Sequence, residues 1–230
     1  MSMFTPEELT AIGLSLKVAI VAALASLPPG IACGWLLARR RFPGKALLDA
    51  LLHLPLVMPP VVTGYALLVV LGTQGPVGSW LLEHLGLQFA FRWTGAALAC
   101  AVMGFPLMVR AIRLSIEATD RRLEAAAATL GAGPWRVFFS ITLPLAWPGL
   151  VAGMVLAFAK ALGEFGATIT FVSNIPGETQ TLSSAIYGLM QVPGMESGIW
   201  RLAGVALAIS LAALLLSEWL VRRPHPREDA

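Results

Sequence analysis

Charged side chains are scarce in this chain of 230 residues. Aspartate, glutamate, lysine and arginine together make up 13% of it, whereas hydrophobic residue types make up 57%. A soluble domain needs more charge than this to cover its surface, because ordinary globular chains contain about 25% charged residues. Intrinsic disorder is excluded as well, since so apolar a chain cannot stay solvated. The composition therefore predicts an integral membrane protein.

Cysteine is scarce too, and basic residues are not gathered on one surface. Cys33 and Cys100 lie separately inside apolar runs, so they predict neither a disulfide framework nor a metal site. We expect no cofactor and no metal. The net charge of +3 comes from lysines and arginines at the ends of apolar runs, which does not indicate binding to nucleic acid. The first ten residues contain Glu7 and Glu8 but no basic residue, so we expect the first apolar stretch to remain as a membrane span.

Five apolar stretches are long enough to cross a bilayer, which takes about 20 residues of helix. They predict an all-α polytopic bundle forming a single transmembrane domain over residues 1–230. A short interfacial helix is predicted at residues 181–192, where a re-entrant segment is the alternative. The predicted spans are residues 12–37, 51–71, 93–109, 149–171 and 199–221, with a charged loop at 110–148.

The distribution of basic residues predicts the orientation of the chain. Most of the 16 lysines and arginines fall after the first span, in the loop at 110–148, or in the C-terminal tail with Arg222, Arg223 and Arg227. Positive charge stays on the cytoplasmic side of a membrane. We therefore expect the N-terminus outside, the C-terminus inside, and the loop at 110–148 in the cytoplasm.

The loop at 110–148 has the composition of a docking element. Residues 121–130 favour a helix, which Gly131 and Gly133 end and Pro134 prevents from continuing. An apolar hook follows. A short surface helix with a small alanine face suits docking by another protein, and an amphipathic loop lying on the lipid headgroups is the alternative.

The same loop resembles the EAA loop of ABC importer permeases, in which EAA and a glycine are followed by I-x-L-P. Glu124 stands one residue earlier than the glutamate of that pattern. We refer to residues 110–148 as the coupling loop. The residues that match the pattern or lie next to it are Glu124, Ala125, Ala126, Gly131, Ile141, Leu143 and Pro144.

Three further runs resemble the molybdate branch of these permeases: RFPGK at 41–45, LPLVMPP at 54–60 and GEFGA at 163–167. The sulfate and thiosulfate permeases share much of this pattern, and tungstate is a further alternative substrate. The resemblance implies the ABC importer permease fold and alternating-access transport of an oxyanion across the cell inner membrane. It also implies a second copy of the chain, separate ABC ATPase subunits, an extracytoplasmic oxyanion-binding protein and surrounding lipid as partners.

No phosphate-binding G-x-x-x-x-G-K-[ST] loop occurs in the sequence, so the chain is predicted not to be an enzyme and to depend on a separate ATPase.

Lys160 and Glu164 lie one helical turn apart in the fourth span, where ionisable groups are costly. They either line the pathway or neutralise each other as a structural pair. A secondary transporter would need several such groups and internal repeats. The predicted pathway or gate residues are Pro59, Pro60, Thr63, Lys160, Glu164 and Thr168.

Overall fold

A computed structural model describes residues 4–221, and within this range the chain forms helices and no strand, which confirms the all-α class. A π-helical turn at Phe138–Thr142 joins α7 to α8. Arg222, Arg223 and Arg227 of the predicted cytoplasmic tail lie outside the described residues. The α-helices are α1 (Pro6–Arg39), α2 (Lys45–Val57), α3 (Pro60–Leu71), α4 (Pro76–Leu85), α5 (Trp93–Ala118), α6 (Arg121–Thr129), α7 (Pro134–Val137), α8 (Leu143–Leu145), α9 (Trp147–Leu162), α10 (Gly166–Val172), α11 (Leu182–Met190) and α12 (Glu196–Val221).

Three of these helices, α1, α5 and α12, are each long and apolar enough to cross a membrane. Two further pairs have the required length and composition only together. The helices α2 and α3 meet at a bend of 112°, and the segment Pro134–Leu145 meets α9 at 67°. The described residues therefore contain three candidate spans, or up to five if each bent pair crosses. The predicted five spans require both bent pairs to cross.

The predicted second span, residues 51–71, is not one straight helix. It consists of most of α2, a bend, and α3. Pro59 and Pro60 have no backbone N–H to donate, and a proline disfavours helical geometry in the residue before it. Pro60 occupies the first turn of α3, where a missing N–H has no cost. The two prolines therefore end one helix and begin the next.

Two other predicted boundaries differ from those of the structure. The third span was placed at 93–109, but α5 continues to Ala118, so the first residues of the coupling loop extend that helix. The fourth span was placed at 149–171, but the helix is interrupted after Leu162 and restarts at Gly166. The short interfacial helix expected at 181–192 corresponds to α11, and whether it is re-entrant stays a prediction.

The core of the bundle is built from α1, α5, α9 and α10. Small side chains bring their backbones close together: a Cβ on Gly34 of α1 would lie 2.9 Å from a methyl carbon of Ile112 in α5. Ala96, Ala99 and Phe171 are fully buried in the cluster between α5 and α10. Close approach of small residues is the usual way in which helices associate inside a membrane.

The two ends of the bundle are defined by polar contacts between helix ends. At one end, Arg39 at the end of α1 donates to the carbonyl oxygen of Thr119, just after α5, so the coupling loop lies here. We call this end the loop face. At the other end, Arg201 near the start of α12 pairs with Glu8 near the start of α1 at 2.7 Å. We call this end the opposite face.

Candidate functional site

The helix predicted at residues 121–130 of the coupling loop is observed as α6. The side chain of Asp120 accepts a hydrogen bond from the backbone N–H of Arg122 at 2.9 Å, which caps the first turn. Gly131 has a φ of 84°, a left-handed conformation that favours glycine. Its N–H donates to the carbonyl oxygen of Ala128 at 3.0 Å, which closes the last turn. Local capping therefore fixes both ends of this helix.

The exposed side of α6 carries small and apolar side chains together with those of Arg122 and Thr129. Ala125 and Ala126 are exposed. Leu123 is half exposed, and Leu130, which follows the helix, is 89% exposed. No residue of α6 is buried. The exposed leucines and alanines give this side of the helix an apolar patch of the kind that a partner protein covers.

Glu124 is directed the other way, towards the body of the protein. Its Oε1 atom accepts hydrogen bonds from Nε and Nη2 of Arg39 at 3.1 and 2.9 Å. The same atom accepts a hydrogen bond from the hydroxyl of Thr142 at 2.8 Å. Glu124 therefore connects α6 to the end of α1 and to the π-helical turn.

The hook that follows α6 is a helical segment interrupted by the π-helical turn. Ile141 and Leu143 are half-buried, and Leu143 packs against the cluster formed by α1, α5 and α9, whereas Pro144 is exposed. The ring of Phe138 packs edge-on against Trp35 of α1, with centroids 5.9 Å apart. A cavity of about 410 Å³ lies between this hook, α6 and the end of α1.

The predicted ion pair is present at the break between α9 and α10. Nζ of Lys160 lies 2.7 Å from Oε2 of Glu164. The side chain of Glu164 is 1% exposed, whereas that of Lys160 is 30% exposed. The other carboxylate oxygen, Oε1, accepts a hydrogen bond from the N–H of Ala167 at 3.0 Å. Glu164 therefore neutralises Lys160 and also caps the first turn of α10.

The remaining predicted pathway residues lie where α3 crosses α10. Thr63 is buried in α3, and its hydroxyl has no hydrogen-bond partner. Thr168 is buried in α10 and donates to the carbonyl oxygen of Phe165 at 2.9 Å. A Cβ on Gly64 would collide with the backbone of Ala167, so the two helices touch along their backbones.

Pro59 and Pro60 are exposed at the bend before this crossing. A Cβ on Gly166 would lie 2.7 Å from Cβ of Pro60, so the bend rests on the start of α10. The structure thus brings the α2–α3 bend and the ion-pair break close to each other.

Two polar networks were not predicted from the sequence. One is the network around Glu124, whose partner Arg39 counts in the sequence only as one of the basic residues after the first span. Between α2 and α5, Asp49 pairs with Arg113 at 2.8 Å, and Arg113 also pairs with Glu117 at 2.9 Å. His53 lies 3.3 Å from the other oxygen of Asp49. The spacing of four residues between Asp49 and His53 was the available sequence signal.

Comparison with known proteins gives one family and a consistent set of relatives. The family described as "Binding-protein-dependent transport system inner membrane component" matches residues 30–226. The "Molybdenum transport system permease protein ModB" of Escherichia coli (strain K12) is 62% identical over 225 residues, which cover 98% of each chain. The "Sulfate transport system permease protein CysT" of the same strain is 36% identical over 211 residues, covering 92% of this chain and 74% of the relative.

Among solved structures, a chain of the bacterial alginate ABC transporter, in complex with an alginate pentasaccharide-bound periplasmic protein, has a similar fold. The TM-score is 0.71 at 19% sequence identity, and the match covers 95% of this chain and 81% of that one. At this identity the similarity concerns the fold.

Proposed function

Because this chain belongs to the family of binding-protein-dependent transport system inner membrane components, we propose that it is the permease subunit of an ABC importer that carries molybdate into the cell. The observation that carries this proposal is the 62% identity to a molybdenum permease over 98% of both chains. The chain is a multi-pass inner-membrane protein and not an enzyme. ATP is hydrolysed by a separate subunit.

The transport cycle is alternating access. Closure of the ATPase dimer upon ATP binding displaces α6, whose apolar face of Ala125, Ala126 and Leu130 fits a groove in the ATPase. The helices then reorient, and a pathway open to the cytoplasm becomes open to the extracytoplasmic binding protein. That binding protein supplies most of the selectivity for the oxyanion. Since the coupling loop meets the ATPase, the loop face lies in the cytoplasm and the N-terminus lies outside.

The pathway lies between this chain and a second copy of it. The α2–α3 bend is exposed in the single chain, and Tyr65 beside it is 61% exposed. A tyrosine hydroxyl and two exposed prolines suit a protein or water-filled surface better than the lipid interior. Closing two such faces on each other encloses a route along the α2–α3 bend and Tyr65, while Thr63 stays buried behind it, as does Glu164, which would repel an oxyanion.

Reconstitution tests this function. Permease and ATPase are placed in liposomes, the binding protein is added outside, ATP is enclosed, and uptake of labelled molybdate is followed. We expect uptake only when all three proteins and ATP are present. Uptake driven by an ion gradient without ATP would instead identify a secondary transporter.

Competition in the same liposomes distinguishes the related substrates. We expect excess unlabelled molybdate to abolish the signal and sulfate to leave it largely unchanged, in agreement with the lower identity to the sulfate permease. Because the binding protein supplies most of the selectivity, the assay is repeated with a sulfate-binding protein in its place, and sulfate uptake as fast as that of molybdate would assign the chain to the sulfate and thiosulfate branch.

A further inference from the structure

The helix α6 is attached to the rest of the permease mainly by polar contacts. None of its residues is buried, so apolar packing contributes little to its position. Its exposed leucines and alanines are directed away from the bundle. A displacement of this helix therefore reaches α5 through the two-residue connection at 119–120, and it reaches α1 through the polar contacts that hold it.

Those contacts converge on the pair formed by Arg39 and Glu124. Arg39 is the last residue of α1, and its side chain is only 8% exposed. Its guanidinium group donates twice to Oε1 of Glu124, and Nη2 also donates to the carbonyl oxygen of Thr119 at 3.2 Å. Thr142, buried in the π-helical turn, donates to the same carboxylate oxygen. We call this set of four residues the clamp.

The clamp joins the three elements that lead from α6 into the membrane. Arg39 ends α1, Thr119 follows α5, and Thr142 precedes α9. A second contact lies beside it, since Nη2 of Arg121 donates to the carbonyl oxygen of Ala38 at 3.3 Å. The helices α1, α5 and α9 pack on one another in the core, so a displacement of the clamp residues is transmitted to all three helices.

The helix α1 extends from the clamp to the opposite face. Its 34 residues span about 50 Å at 1.5 Å per residue. Near its start, the hydroxyl of Ser15 accepts the N–H of Leu182 at 2.6 Å, and Glu8 pairs with Arg201. Movement of the end of α1 is therefore linked mechanically to α11 and α12 on the side of the binding protein.

The inward direction of Glu124 also explains its offset from the family pattern. A shift of one residue turns a helical side chain by about 100°. At position 124 the carboxylate reaches Arg39, whereas the neighbouring Ala125 faces outward. This glutamate is therefore placed to bind its own permease rather than a partner.

We propose that Arg39 and Glu124 are positioning residues that transmit the displacement of α6 to α1, so that closure of the ATPase dimer reorients the bundle. This inference rests on the proposed function and adds the route by which force enters the membrane. A carboxylate and a guanidinium held by several hydrogen bonds in a partly buried site form a strong, directional link. Loss of one partner leaves the other charge uncompensated.

The test compares transport with hydrolysis in the complete reconstituted importer. The variants are Glu124→Gln, Arg39→Ala and the conservative Arg39→Lys. The control is Arg41→Ala, which removes the same charge two residues later from an exposed position. The measurements are the amount of ATPase that co-purifies, the rate of ATP hydrolysis, and the number of substrate ions imported per ATP.

We expect Glu124→Gln and Arg39→Ala to retain the ATPase and hydrolyse ATP, while substrate imported per ATP falls about tenfold, a size typical of coupling between distant sites. Arg39→Lys keeps the charge but not the paired donors, so we expect an intermediate ratio. Arg41→Ala should match the unmodified importer. The double variant Arg39→Glu with Glu124→Arg should recover part of the ratio, because the opposite charges face each other again.

Two results would contradict the proposed role of the clamp in transmission. One is an unchanged import ratio in both Glu124→Gln and Arg39→Ala. The other is loss of ATPase binding in Glu124→Gln at normal permease abundance, which would make Glu124 a docking contact. If Arg39→Ala fails to reach the membrane, Arg39→Lys and Glu124→Gln decide the question. Absence of ATP-driven uptake in the unmodified importer would instead contradict the proposed function. This outcome is distinguishable, because it does not involve any of the variants.

Discussion

Replacing Glu164 by alanine is expected to lower the stability of the permease by about 1–3 kcal/mol and to impair uptake, because it leaves the partly buried Lys160 without its partner and a backbone N–H without its acceptor. Lys160 would lose the carboxylate that lies 2.7 Å from its Nζ. The N–H of Ala167 would lose its acceptor as well, so the first turn of α10 would be uncapped. The measurements are the melting temperature in detergent and the uptake of molybdate in liposomes.

The double variant Lys160→Met with Glu164→Gln is the control. It removes both charges together, and its glutamine oxygen can still accept from Ala167, so most of the stability should return. Recovery of uptake along with stability would assign the pair a structural role. Recovery of stability alone would assign it to the pathway or gate. A Glu164→Ala protein that melts like the unmodified one would contradict the role of this contact.

Replacing Gly131 by valine is expected to separate the ATPase from the permease and abolish ATP-driven uptake without preventing membrane insertion. A β-branched residue is strained at a φ of 84°, at a cost of about 1–3 kcal/mol. A Cβ at this position meets no atom within 4 Å, so the permease itself has room for the side chain. The damage is therefore confined to the end of α6 and to whatever docks there. Co-purification of the ATPase and uptake are the measurements.

Gly133→Val is the matched control for this prediction. It adds the same side chain two residues later, where φ is −67° and a Cβ again meets nothing within 4 Å. We expect this variant to retain more of both ATPase binding and uptake. Asparagine tolerates the left-handed region, so Gly131→Asn should be milder than Gly131→Val. Normal uptake by Gly131→Val would show that the end of α6 is not needed for coupling.

Features set by neighbouring residues were predictable from the sequence. The helix predicted at 121–130 is observed at Arg121–Thr129. Both of its ends are set by neighbouring residues, namely the aspartate that caps its start and the left-handed glycine that follows its end. The pairing of Lys160 with Glu164 followed from their spacing and is confirmed. The interruption at residues 163–165, which contains Glu164, was not predicted, because it depends on the carboxylate of Glu164 capping the first turn of α10.

Features that depend on distant residues were not predictable. Arg39 and Glu124 are 85 positions apart, and no local pattern relates them. The prolines at 59 and 60 end one helix and begin the next by local geometry, but the bend of 112° depends on how α3 packs against α10. That packing requires Gly64 to meet the backbone of Ala167. A single sequence contains no information on such contacts.

In the proposed transport cycle, the ATPase binds the permease at α6. Ala126 lies on the exposed face of this helix, and Leu87 is exposed between α4 and α5, near the opposite face. A photoreactive phenylalanine is introduced at either position, and native membranes are irradiated in the presence of the ATPase. We expect a covalent permease–ATPase adduct from position 126 and none from position 87. Absence of the adduct from position 126, in membranes that still import molybdate, would contradict this role of α6.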